Sequence, residues 1–258
     1  MKRPALVRAL AEPVRASCEL ATSVTLLPFL RMLPDGDGHP VLVLPGFMAS
    51  DGSTRPLRRL LRTLGYEAAG WGLGRNVGPT ERVVNEMPAL IDRTAQRTGQ
   101  AVSLVGWSLG GIYARHLAAG TPRLIRSVVT LGSPVRSDAR RSTNASPLFE
   151  ALRAIHVPGH PLLDDGVPLA VPVTAVHTRS DGIVPWRTCL VQDAPTAENL
   201  RVRGSHVGLG FNPAAFYIIA DRLAQPEGTW SGFTAPRPYQ RIITAVPGPT
   251  PTAGASPS

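Results

Sequence analysis

Ala101-Val102-Ser103-Leu104-Val105-Gly106-Trp107-Ser108-Leu109-Gly110-Gly111-Ile112-Tyr113-Ala114-Arg115 decides the fold. An apolar run ends in Gly-x-Ser-x-Gly and an amphipathic run begins at once. The pattern predicts a strand, a sharp turn and a helix, with Ser108 on the turn. Its hydroxyl then stands at the tip of a sheet and at the positive end of a helix. Gly106 and Gly110 flank the turn because a side chain at either position would collide across it. Five loosely specified positions match by chance often enough; the strand before and the helix after give this match its meaning.

Outward from this motif, strands and helices alternate. Pro40 to Leu44 reads as a buried strand, followed by the loop Pro45-Gly46-Phe47-Met48-Ala49-Ser50. A helix is expected from Ser53 or Thr54 to Leu64, stopped by Gly65. Tyr66 to Trp71 is a short strand, and the glycine-rich loop from Gly72 to Pro79 lacks a phosphate-binding pattern. Helices follow at Glu81 to Arg97, ended by Gly99, and at Leu109 to Ala119. Further strands fall at Ile125 to Leu131, Val173 to His177 and Leu200 to Val202. Pro213 to Leu223 is a closing helix with Asn212 as its cap and proline in its first turn. This alternation predicts an α/β fold with a mostly parallel sheet covered on both faces by helices.

A chain of 258 residues, 43% hydrophobic, suits a single α/β domain with a sizeable core. Residues 34–230 form that domain. Residues 135–171, irregular and proline-containing, are expected to form a small cap over the site. Residues 1–33 read as an amphipathic helical leader, separated by the turn cluster Pro34-Asp35-Gly36-Asp37-Gly38. Residues 244–258, rich in Pro, Thr, Ala and Ser, read as a disordered tail.

The net charge of +9 is almost wholly arginine, Lys2 being the one lysine. The arginines scatter through the expected helices, as solvated faces do, and no nucleic-acid motif accompanies them. The two cysteines, Cys18 and Cys189, make no disulfide framework and read as packing residues. Lys2 and Arg3 could open a signal peptide, but Arg8, Glu12, Pro13, Arg15 and Glu19 interrupt the apolar core it would need. The expected location is therefore cytoplasmic, with peripheral membrane contact through residues 1–33 as an alternative to packing on the domain.

A serine hydroxyl needs a base within hydrogen-bond reach, and the base needs an orienting acid. In an open parallel sheet both must lie on loops at the carboxyl ends of strands. Asp181 follows the Val173 strand and His206 follows the Leu200 strand, the latter on a glycine-flanked loop before the closing helix. The order serine, acid, histidine selects Ser108, Asp181 and His206 as the catalytic residues. Asp164 and Asp165 are rival acids but precede their strand. His39, His116, His156 and His160 show no pairing, and His177 reads as a satisfied core residue. No histidine pair has metal-ligand spacing, so no metal is expected. Oxyanion donors are expected at the backbone N–H groups of Leu109 and Phe47, with Met48 as the second choice in that loop. Met48, Trp107, Leu148, Phe149 and Val207 are the expected substrate contacts, with Leu152, Leu162 and Leu163 as further apolar cap residues.

The chain resembles the α/β-hydrolase superfamily, and within it small bacterial serine esterases and lipases. The resemblance rests on Leu42-Val43-Leu44-Pro45-Gly46-Phe47, Gly106-Trp107-Ser108-Leu109-Gly110-Gly111, Ser180-Asp181-Gly182-Ile183-Val184-Pro185 and Gly204-Ser205-His206. It covers about residues 40 to 225. Pro45-Gly46 stands where many relatives carry His-Gly, and Trp107 where many lipases carry histidine; there is no His-Gly-Gly-Gly loop. The resemblance implies hydrolysis of a small-molecule or lipid ester through an acyl-enzyme, with no cofactor. Thioesterase and acyltransferase activity on the same fold, or a non-catalytic lipid-binding role, are the alternatives.

Overall fold

The computed structural model describes residues 3–25, 33–136, 142–159, 166–237 and 239–249. Seven strands form one sheet: β1 (Pro40–Leu44), β2 (Glu67–Gly70), β3 (Val102–Trp107), β4 (Ile125–Leu131), β5 (Val173–His177), β6 (Ala197–Val202) and β7 (Ile243–Val246). Their spatial order is β2-β1-β3-β4-β5-β6-β7. Every pairing is parallel except that of β6 with β7.

Strands β1, β3 and β5 are buried along their whole length because both faces of the sheet are covered there. Within β1, Val41 and Val43 enter one core while Leu42 and Leu44 enter the other. Period-two alternation therefore divides the strand between two hydrophobic layers rather than between core and solvent. Helices α2 (Asp51–Thr63) and α6 (Pro213–Leu223) cover the first face through Leu57, Leu61, Phe216 and Ile219. Helices α3 (Glu81–Thr98) and α4 (Leu109–Gly120) cover the second through Met87, Ile91, Ile112 and Tyr113. Thr80 caps α3, Gly99 ends it in the left-handed region at φ 67°, and Asn212 caps α6 by accepting from Ala214 and Ala215 N–H.

Four expectations need correction. Helix α2 begins at Asp51, before Ser53 or Thr54, with Ser50 as its cap residue. The 135–171 segment is not wholly irregular: α5 (Ser146–Ala151) and a 3-10 turn (Arg153–Ile155) lie within it. Residues 244–246 are not tail, because β7 pairs there along Asn199–Val202 of β6. The hydrogen bonds of the sheet edge order a segment whose composition alone reads as loop. Cys18 is exposed rather than packed; Cys189 is buried, and both are free thiols. Leu162, Leu163, Asp164, Asp165 and His160 lie outside the described residues, as does the tail from 250.

Among the described residues of the leader, Leu6–Thr25 form helix α1, which runs through Pro13. Its polarity is inverted. Glu12 and Ala16 are buried against the domain, while Leu6, Val7, Leu10 and Val14 are each at least 68% exposed. Among the described residues, no helix is long and apolar enough to cross a membrane.

Candidate active site

The turn between β3 and α4 is as tight as its glycines require. A Cβ on Gly106 would lie 2.3 Å from Gly111 Cα, and one on Gly110 would lie 2.3 Å from the Leu44 carbonyl oxygen. Ser108 itself takes φ 53° and ψ −119°, a conformation rare for a residue with a side chain. The strain is held by the Ser108 N–H, which donates to Leu131 O at 2.8 Å, and by the helix that starts at Leu109.

Asp181 and His206 come to this serine from the ends of β5 and β6. Ser108 Oγ lies 3.0 Å from His206 Nε2, and His206 Nδ1 lies 2.7 Å from Asp181 Oδ2. The other carboxylate oxygen, Oδ1, accepts the N–H groups of Ile183 at 2.8 Å and Val184 at 2.6 Å. These bonds fix the carboxylate and leave Oδ2 for the imidazole. Asp181 and His206 are 3% and 5% exposed. Burial alone would disfavour the imidazolium. The charge and hydrogen bond of Asp181, with the charge of Glu12, outweigh it and hold the His206 pKa above its ordinary 6.5.

The loop after β1 closes over the serine. A Cβ on Gly46 would come within 3.2 Å of Ser108 Cβ, so this glycine sets how near the loop approaches. The N–H groups of Phe47 and Leu109 donate to no described residue. Met48 N–H is engaged with Asn76 O at 2.7 Å, which takes the second-choice oxyanion donor out of play. Asn76 is a residue that sequence reasoning missed. It is fully buried, and its side-chain amide donates to Pro45 O at 2.8 Å. Its backbone N–H donates to Ala49 O at 2.8 Å. The loop with no phosphate pattern thus buckles the Pro45–Ala49 loop in place.

The expected substrate contacts divide. Phe149 on α5 packs its ring 5.4 Å from that of Phe47, which sets α5 against the loop after β1. Leu148 beside it is 48% exposed, and Met48 is partly buried at φ 63°. Trp107 is placed otherwise. Its ring joins Val105 in the core two residues along the strand, meets Phe211 edge-on at 5.8 Å, and is 8% exposed. Its indole N–H donates to His206 O at 3.1 Å, so it braces the histidine loop from behind. Val207 packs against the same core layer. His177 is buried, yet neither ring nitrogen has a hydrogen-bond partner among the described residues, so it is not the satisfied histidine expected. Its ring stacks on Trp186 at 5.5 Å. Among the described residues, no group of three or more His, Cys, Asp or Glu could hold a metal ion.

The fold is that of the α/β hydrolases. No family model matches the chain. Among solved structures it is similar to an α/β hydrolase enzyme from a lagoon-sediment metagenome, at TM-score 0.52 and 17% identity over 73% of this chain and 91% of that one. A monoacylglycerol lipase from Paleococcus ferrophilus gives TM-score 0.52 and 16% identity over 74% and 95%. Aspergillus fumigatus lipase B gives 0.57 and 16% over 74% of this chain and 53% of the lipase.

Proposed function

We propose that this protein is a serine hydrolase of carboxylic esters. The observation that carries the reading is the continuous chain Asp181–His206–Ser108, at 2.7 and 3.0 Å, next to Leu109 and to the Gly46–Phe47 turn, whose Phe47 and Leu109 N–H groups donate to no described residue. His206 Nε2 takes the proton as Ser108 Oγ attacks the ester carbonyl, and the alkoxide leaves with a proton from the same nitrogen. Asp181 keeps the Nδ1–H tautomer and stabilises the imidazolium. The N–H groups of Phe47 and Leu109 receive the oxyanion, each worth about 3 kcal/mol of barrier when preorganised. Water, deprotonated by His206, then cleaves the acyl-enzyme. Phe149, Met48 and the exposed Leu148 supply the apolar surface beside the oxyanion loop and suit an acyl chain.

The similar solved structures include lipases, in keeping with an ester substrate. Hydrolysis of a p-nitrophenyl ester series by the intact chain, alongside an acyl-CoA series, tests the reading. Turnover of oxygen esters that is lost in Ser108→Ala supports it; preference for thioesters or undiminished turnover by the variant contradicts it.

A second proposal concerns location. Five of the nine exposed large hydrophobic residues described lie on α1, four of them at 68–73% exposure. Arg3 precedes this stripe and Arg8 lies within it, and the whole chain carries a charge of +9. We assign the stripe to an anionic lipid surface.

A further inference from the structure

Helix α1 docks backwards. A helix laid on a hydrolase body ordinarily buries leucine and valine, but α1 turns Leu6, Val7, Leu10 and Val14 outward and buries a carboxylate instead. Glu12 is 1% exposed. Its Oε1 accepts the N–H of Gly182 at 2.8 Å, and its Oε2 accepts the N–H of Val207 at 2.8 Å. Gly182 follows Asp181 in the chain and Val207 follows His206, so one carboxylate spans both loops of the catalytic pair. One turn along α1, Arg15 does the same from the other side of each residue. Its guanidinium donates to Ser180 O at 2.8 Å and to Gly204 O at 2.6 Å, and it lies 3.6 Å from Glu12.

Glu19 continues the seam by accepting from the N–H and hydroxyl of Ser205 at 2.7 and 2.6 Å, and from the Asn212 amide at 2.8 Å. Three glycines mark where the helix lies. A Cβ on Gly182 would stand 2.6 Å from the Arg8 carbonyl, and a Cβ on Gly204 or Gly208 would stand 2.6 or 2.2 Å from the Glu19 carboxylate. The acid and histidine loops are therefore built to receive this helix.

We infer that Glu12 and Arg15 are positioning residues of the hydrolase site, a fork that holds the Asp181 loop and the His206 loop in mutual register. The inference rests on the ester-hydrolase reading above. Neither residue touches the reacting atoms; each acts through backbone groups next to Asp181 and His206. The physical reason is economy of parts. Two loops from separate strands must keep a 2.7 Å contact, and the sheet fixes only where each begins. A buried carboxylate with two N–H donors and a guanidinium beside it is fully satisfied only when both loops are in place. Of the charged groups of α1 and the acid loop, Asp181 and Glu12 act on His206, while Arg15 and Glu19 engage Ser180, Gly204, Ser205 and Asn212 beside it. Asp181 and then Glu12 favour the imidazolium.

The test is steady-state hydrolysis of a short p-nitrophenyl ester by the full chain and by Glu12→Gln, Glu12→Asp and Arg15→Lys, with kcat and KM measured across pH and folding checked by thermal melts. Glutamine keeps the shape, loses the charge and one acceptor, and turns an amide NH2 towards a backbone donor. Its kcat is expected to fall tenfold or more at a KM changed less than about twofold, since small misplacements of a catalytic group cost this much. The acidic limb of its kcat/KM profile is expected to move to lower pH, because His206 loses a neighbouring negative charge. Aspartate keeps the charge on a shorter arm, so the acidic limb stays in place while kcat falls. A folded Glu12→Gln with wild-type kcat and an unmoved acidic limb overturns the inference. Should Glu12→Gln fail to fold, Arg15→Lys carries the test: a folded variant with wild-type kcat overturns it, and one whose kcat falls at constant KM supports it. A wild-type chain that neither hydrolyses esters nor labels at Ser108 overturns the hydrolase reading itself, a distinguishable result.

Discussion

Replacing Asn76 with alanine should damage catalysis from a residue that touches no reacting group. The side chain is fully buried, and two hydrogen bonds end on it: its amide N–H to Pro45 O at 2.8 Å, and Gly78 N–H to its carbonyl at 3.3 Å. The backbone bonds of Asn76, to Ala49 O and from Met48 N–H, survive the substitution. Alanine leaves a buried carbonyl and a buried N–H without partners, at about 1–3 kcal/mol each, so the fold should lose about 2–6 kcal/mol. The catalytic loss has a separate ceiling. Pro45 is two residues from Phe47, whose N–H is the proposed oxyanion donor of the loop, and one such donor is worth about 3 kcal/mol. The kcat of Asn76→Ala should therefore fall between about tenfold and about a hundredfold, with KM nearly unchanged, because the donor acts on the transition state. Chemical denaturation and ester kinetics measure the two effects. A folded variant destabilised by that amount but with wild-type kcat would show that Asn76 holds the fold and not the oxyanion loop.

Trp107→Phe keeps an aromatic ring in the core but removes the hydrogen bond to His206 O; a loss of about 1 kcal/mol in stability is expected in urea melts, with a measurable fall in kcat. His177 offers a pH test. Its burial, then the charges of Arg201 and Arg179, push its pKa down from 6.5 to about 4. The unfolded chain takes up this proton as pH falls through 6.5 while the folded chain refuses it until about 4. Stability present above 6.5 is thus lost across that window, by about 3 kcal/mol in all. His177→Phe keeps the stack on Trp186, so its acid unfolding midpoint, followed by circular dichroism, should lie at lower pH; an unchanged midpoint contradicts the assignment. Co-sedimentation with anionic vesicles should fall in Leu10→Glu/Val14→Glu, whose changes lie on the outward face of α1, with hydrolysis of soluble short esters retained.

What the sequence disclosed follows physical range. Buried strands such as Val173–His177 and capped helices such as Pro213–Leu223 are written in local pattern, and both stand at the expected residues. That Ser108, Asp181 and His206 would meet was legible because each follows a strand end and the order is distinctive. Residues that act across the fold left little trace. Asn76 reaches Pro45 from a loop 31 residues away, and nothing local to Gly72–Pro79 signals that contact. Glu12 was hidden for another reason: helical periodicity finds an apolar face but does not say which face turns inward, and in α1 the polar one does. The β7 strand was missed because Ile243–Val246 gains its order from pairing with β6, while the prolines around it read as loop. Trp107 adjoins the nucleophile in sequence, yet the strand pleat sends its ring into the core beside Val105.

The central claim is that Ser108 is a nucleophile activated by His206. Treatment of the intact chain with a fluorophosphonate, followed by peptide mass spectrometry, tests it most directly. The account predicts one phosphonyl adduct, on Ser108, formed at a rate that declines as pH falls through a midpoint above 6.5 and that collapses in His206→Ala. A chain that folds but carries no adduct at Ser108, or one labelled as fast without His206, would contradict it.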